Sequence, residues 1–212
     1  MKKLIMISIL TIVLSGCAGV QTSSTTFHGP EHSNRGNISV FPIDKSQEDS
    51  LEFRAVSEYL VKKLTEKGYV AAPSGDNSMY AAFITYGIDN GTTSVSSVPL
   101  FGQTGGGTSF SSGTVSSAGG IANFSGTTTT MPTYGVIGAI PVSSTEYTRK
   151  VNVDIWKREA TPVKVYEIRG VSSGSCGNIN AILFNIIDGM FANFPGISGK
   201  SENVKVEWNG KC

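Results

Sequence analysis

The chain has 212 residues, with 17 Lys and Arg against 16 Asp and Glu and a formal net charge of +1. No basic stripe marks a nucleic-acid surface and no acidic block calls for cations, while 2 histidines and 3 cysteines without C-x-x-C spacing give zinc no ligand set. The length suits one domain with a leader and a tether, and no cofactor motif stands out.

The first segment has three parts. Lys2 and Lys3 form a positive head, Leu4 to Leu14 an apolar run, and Leu14-Ser15-Gly16-Cys17 a small-residue close with a thiol, the grammar of a secretory signal. A membrane-spanning helix needs about 20 apolar residues, roughly twice what this run supplies. The four closing residues resemble the lipobox of bacterial lipoproteins. That resemblance implies a signal peptide over 1–16 and palmitate-type acylation of Cys17. The mature chain is then anchored by lipid without a span, since each buried CH₂ contributes about 0.8 kcal/mol and more than one acyl chain makes attachment stable. It also implies a periplasm-facing location in the cell envelope. In a Gram-negative cell, Ala18 rather than Asp after the cysteine resembles the sorting context for the outer membrane.

Residues 17–36 are rich in Ser and Thr and show no apolar period, which predicts a flexible tether before a domain over 37–212. His28 and His32 have metal-compatible helical spacing, but Gly29-Pro30 and Asn34-Arg35-Gly36 argue against a helix there. Ile38, Val40 and Phe41, ending at Pro42, read as a first strand. Phe53, Val56, Leu60 and Leu64 then recur at helical spacing, with Ser46 or Asp49 as cap and Gly68 as stop. Glu52, Glu58, Lys62, Lys63 and Glu66 fill the wet face. Tyr69 to Asn77 make a turn. Met79 to Ile88 is apolar on both phases, as in a central strand.

From Asn90 to Thr145 there is no Asp, Glu, Lys or Arg, and Gly, Ser and Thr dominate. This predicts an insertion over 91–144. It is either a hairpin arm or a long disordered loop, and Phe101, Phe110, Phe124 and Tyr134 are its candidate contact residues. An uncharged arm has little to repel a second copy, so an envelope protein partner or self-association is expected there.

Tyr147 to Trp156 alternates strictly, Val163 to Val171 returns as its hairpin partner, and Asn178 to Asn193 carries the broad apolar stripe of a second helix, stopped by Phe194-Pro195-Gly196. Val204, Val206 and Trp208 alternate in a last strand. The sum is an α+β fold, a mostly antiparallel sheet with two helices on one face in the order β-α-β-(arm)-β-β-α-β. The helix over Glu48 to Gly68, the strand over Tyr80 to Asp89, the Gly-rich arm, Tyr147 to Trp156 and the helix ending Asn193-Phe194-Pro195 look like a family of envelope lipoproteins whose domain has no assigned function. The resemblance carries fold and location and no site.

Cys176 and Cys212 form an even pair in an oxidising compartment, 36 positions apart. A disulfide is expected, with two unpaired thiols as the alternative. Gly170-Val171-Ser172-Ser173-Gly174 fits a nucleophile elbow, but both histidines lie upstream and Ser172 lacks a base. Gly199-Lys200-Ser201 imitates a P-loop end without its first glycine. The expectation is a non-enzymatic binding or structural protein. Its alternatives are an envelope hydrolase, for which two of Asp44, Asp89, Asp154 and Asp188 would have to meet in a cleft, and a carrier with an apolar cavity between helices and sheet.

Overall fold

The computed structural model describes residues 19–72 and 77–212, so Cys17 lies outside the described residues. The chain divides into two compact units, one containing the described residues up to Thr92 and from Glu146 onward, the other spanning Thr93–Thr145.

In the first unit the strands are β1 (Gly19–His28), β2 (Asn37–Pro42), β3 (Val70–Ala71), β4 (Tyr80–Ile88), the last part of β6 (Gly120–Lys157), β7 (Val163–Gly174) and β8 (Ser201–Glu207). They form one sheet in the order β3-β2-β4-β6-β7-β1-β8. β2 runs parallel to β3 and β4, and the other pairs are antiparallel. With α1 (Leu51–Glu66) and α2 (Leu183–Phe191) this is a mixed α+β fold with a mostly antiparallel sheet and two helices.

The expected tether is corrected from residue 19 onward. Gly19–His28 is a strand between β7 and β8, with Thr26 opposite Ile168 and Thr22 opposite Val204, so the domain begins well before residue 37 and the order gains a leading strand, and a second short one at Val70–Ala71, inside the stretch expected to be a turn. Val20, Thr22, Ser24 and Thr26 all point inward and are buried. The period of two is present, but three of its four inward residues carry hydroxyls, so a reading by hydropathy sees only polarity; threonine is nevertheless a strand former. Ser24 Oγ donates to Met190 O at 3.5 Å, whereas Thr22 Oγ1 finds no partner among the described residues. The segment between β1 and β2 is pinned as well. A 3-10 turn over Pro30–Ser33 leads to Arg35, which donates to Lys67 O at 3.1 Å and to His32 O. Its guanidinium lies over the rings of Tyr69 and Tyr166.

Helix α1 forms on the expected positions, burying Phe53, Val56, Leu60 and Leu64, and Gly68 takes φ +94° just beyond its end. The cap differs. Ser50 accepts from Phe53 N at 3.5 Å, while Asp44 caps the preceding turn by accepting from Ser46 N at 2.9 Å. Helix α2 is shorter than its apolar stripe, because Ile179–Ala181 forms a 3-10 turn first. α2 packs closely on the sheet at two glycines. A side chain on Gly189 would meet Thr22, and one on Gly170 would collide with the Met190 side chain. The two helices touch through the Tyr59 and Phe184 rings, 4.5 Å apart, and through Asp188, which accepts from Tyr59 Oη at 2.7 Å and pairs with Lys63 at 2.8 Å.

One core cluster joins both helices to the inward residues of the sheet, Ile38, Tyr80, Val151, Val153, Ile155 and Ile168 among them. On the alternate phase, Asp154 pairs with Lys164 at 3.2 Å and with Arg169 at 2.5 Å, a half-exposed network worth little in stability. Cys176 and Cys212 lie at disulfide distance, with Cα atoms 5.3 Å apart.

The second unit is a hairpin. β5 (Thr92–Ser117) pairs with β6, whose Gly120 turns with φ +146°. Of the two readings left open for 91–144, the hairpin is the one observed.

Candidate functional site

Within the hairpin, hydroxyl pairs and glycines do the work that apolar packing does elsewhere. Thr93 meets Thr145 at 2.9 Å, Thr104 meets Thr133 at 3.2 Å, and Thr114 donates to Asn123 Oδ1 at 2.8 Å. Gly113 and Gly102 leave room that the Phe124 ring and the Ile137 side chain cover from the facing strand. These pairs fix the ribbon but hide little apolar surface. Phe101, Phe110, Phe124 and Tyr134 remain 70%, 71%, 56% and 74% exposed, joined by Val95, Leu100, Ile121, Met131 and Ile140. A two-stranded ribbon is marginal in water by itself, and long uncharged edges invite pairing.

A second feature lies in the first unit, where β2 borders α1. A cleft of about 450 Å³ opens between them, walled by Val40, Pro42, Phe53 and Val61, with Ser57, Glu48 and Glu58 among its other lining residues. On the far side of Phe53 a smaller depression of about 260 Å³ contains Ser50, Glu52 and Tyr86. There Tyr86 Oη donates to Glu52 at 2.8 Å, and burial together with that carboxylate pushes the phenol up to about 12. The cavity under the end of α2, lined by Ser24, Thr26 and Met190, measures about 20 Å³, room for one water and not for a carried ligand.

The residues weighed for catalysis are dispersed. Asp44 is a turn cap, Asp89 accepts from Thr148 N at 2.9 Å and Gly91 N at 3.0 Å, Asp154 pairs with Lys164 and Arg169, and Asp188 with Tyr59 and Lys63. No two share a partner in these contacts. Ser172 sits within β7 opposite Arg149, buried and with no partner for its hydroxyl among the described residues, so it is on a strand and not on an elbow. Gly199, with φ +79°, ends a turn and Ser201 begins β8, so no helix follows Lys200 to cradle phosphate.

The histidines are closer than their loop context suggested. The turn over Pro30–Ser33 stacks His28 on His32 with ring centroids 3.9 Å apart, and His32 Nδ1 lies 2.9 Å from Gly29 O. Tyr166 completes an aromatic group beside them. No cluster of three or more metal-ligating side chains forms among the described residues. The same holds for membrane spans, since no described helix is long and apolar enough to cross a bilayer.

No known protein family matches the chain, and no curated protein does. A solved structure of a PDZ domain protein from Parabacteroides distasonis ATCC 8503 is similar at 10% identity with a TM-score of 0.47, covering 94% of this chain and 42% of that one. The chain thus spans less than half the length of that protein.

Proposed function

We propose that this is a lipid-anchored protein of the bacterial cell envelope, attached through Cys17 and facing the periplasm at the outer membrane, with a binding or structural role rather than a catalytic one. The lipobox-like run Leu14-Ser15-Gly16-Cys17 supports the location. The observation that carries the role is the hairpin over Thr93–Thr145, free of charged side chains with its aromatics exposed. Such a surface gains by being covered by protein. In this reading residues 91–144 are an insertion that makes the contact, and the α+β domain is its mount.

Two experiments test the reading. Cys17→Ser should block acylation and move the protein from membranes to the soluble fraction; membrane fractionation and mass unchanged by the substitution would overturn the anchor. Deleting 91–144 and rejoining Asn90 to Thr145 through an Asn-Gly turn should leave the domain folded. β4 and β6 already pair from Tyr80 with Lys157 to Ile88 with Arg149, and Asp89 N bonds Thr148 O at 3.0 Å. Crosslinked species in detergent should disappear. Crosslinks that survive the deletion would overturn the contact role.

A further inference from the structure

We infer, on the reading that Cys17 carries the lipid, that the α+β domain stands directly on the membrane surface, on the end of the sheet where β1 begins and from which the hairpin leaves. The expected tether would let the domain hang in any attitude. β1 instead begins at Gly19, two residues after Cys17 in the sequence, and two residues reach about 7 Å at most. Gly19 is therefore held at the headgroups, whatever path the link takes.

Register decides what else is held there. Ser23 lies opposite Val171, Tyr147 opposite Gly174 and Arg149 opposite Ile88. Carried on to the strand ends, these pairings put Gly19, Ser175, Glu146 and Gly91 in one row. Glu146 is two strands from Gly19, about 10 Å at the usual strand spacing. Gly91 and Glu146 flank the hairpin, so the chain enters and leaves it at the height of the anchor. The sequence next to these crossings, Thr93 to Phe101 and Ile137 to Thr145, carries no charge and leaves Val95, Phe101 and Ile137 more than half exposed. On the other side of Gly19, Glu207 lies opposite it and Trp208 follows. The tail then returns to Cys176, one residue past Ser175, with Cα atoms 5.3 Å apart. Trp208 is half-buried, and its ring pairs an apolar body with a polar tip, the chemistry found at headgroup level. The opposite end of the sheet is unsuited to lipid. There Lys157 pairs with Glu31 at 2.7 Å and with Glu159 at 2.6 Å, and these ions would lose water against a membrane. In the near row Glu146 and Glu207 are charged and exposed, so this end meets the headgroups and does not enter the hydrocarbon.

The 2 tryptophans of the chain report the two ends. Trp208 follows the residue opposite Gly19, whereas Trp156 lies further along β6 than Glu146, roughly 30 Å more distant from the lipid at the rise of a strand. The test uses the acylated protein reconstituted into phosphatidylcholine vesicles with and without bromine on the upper part of the acyl chains. Trp156→Phe leaves Trp208 as the reporter, and Trp208→Phe leaves Trp156. Brominated lipid should remove about half of the Trp208 emission and leave that of Trp156 unchanged, since bromine quenches what it touches and an interfacial ring touches it. A nitrobenzoxadiazole label on Glu146→Cys should shift its emission to the blue on reconstitution and one on Glu159→Cys should not. Both of these positions are exposed, so the labels decide the matter even if a tryptophan variant misfolds. Flotation with the vesicles is measured on the same samples. If the intact protein does not float, the anchor at Cys17 falls and this orientation with it. If it floats while Trp208 and the label on Glu146→Cys stay unresponsive, or while Trp156 is quenched as strongly as Trp208, the anchor stands and the orientation alone is overturned.

Discussion

Removing the link between Cys176 and Cys212 should cost about 3 to 4 kcal/mol, because the unfolded chain then regains the freedom of a loop closed across 36 positions. The folded side of the balance changes less but in a definite place. β8 is the last strand of the sheet and, among the described residues, pairs with β1 alone, and the tail beyond it has no strand of its own. The cysteine pair ties that tail to the stretch between β7 and α2, where Cys176 is buried. For a domain of this size each kcal/mol moves the melting temperature by about 2–4 °C, so Cys212→Ser should melt about 6–16 °C lower. The assay is thermal unfolding by circular dichroism, with and without reductant, on intact protein and Cys212→Ser. Reduction should bring the intact protein to the variant's melting temperature and leave the variant unmoved. Amide exchange should quicken first in Ser201–Glu207, since local opening begins where an edge strand loses its tether. Melting temperatures insensitive to reductant, or thiol labelling of both cysteines in the denatured, unreduced protein, would refute the reasoning.

Thr22→Val should be neutral or stabilise by up to about 1 kcal/mol, as read from urea unfolding midpoints, because it removes a fully buried hydroxyl that has no partner among the described residues and keeps the side chain's shape. Gly170→Val should destabilise by about 1–3 kcal/mol in the same measurement, since the new side chain enters the space of Met190 and forces α2 off β7. Main-chain hydrogen bonds, the one from Thr148 first, hold the Asp89 carboxyl below its ordinary value. Its contribution to stability is therefore present above the ordinary carboxylate pKa near 3.9 and fades as pH falls through the lower folded value. The melting temperature of Asp89→Ala should converge on that of the intact protein in acid, and a gap that widens as pH falls would contradict the assignment.

The legible parts of the fold are those where chemistry and geometry share one period. α1 announced itself because Phe53, Val56, Leu60 and Leu64 are apolar at the spacing that puts them on one face, and Val151, Val153 and Ile155 did the same at the period of a strand. β1 has the same period and was hidden by its chemistry, for its inward positions Thr22, Ser24 and Thr26 are hydroxyl residues against a helix that comes close enough to need Gly189. The hairpin stayed ambiguous for the opposite reason. Its Thr pairs stabilise one strand against another only after register is set, and no single strand shows in advance that Thr104 will find Thr133 or that Phe124 will cover Gly113.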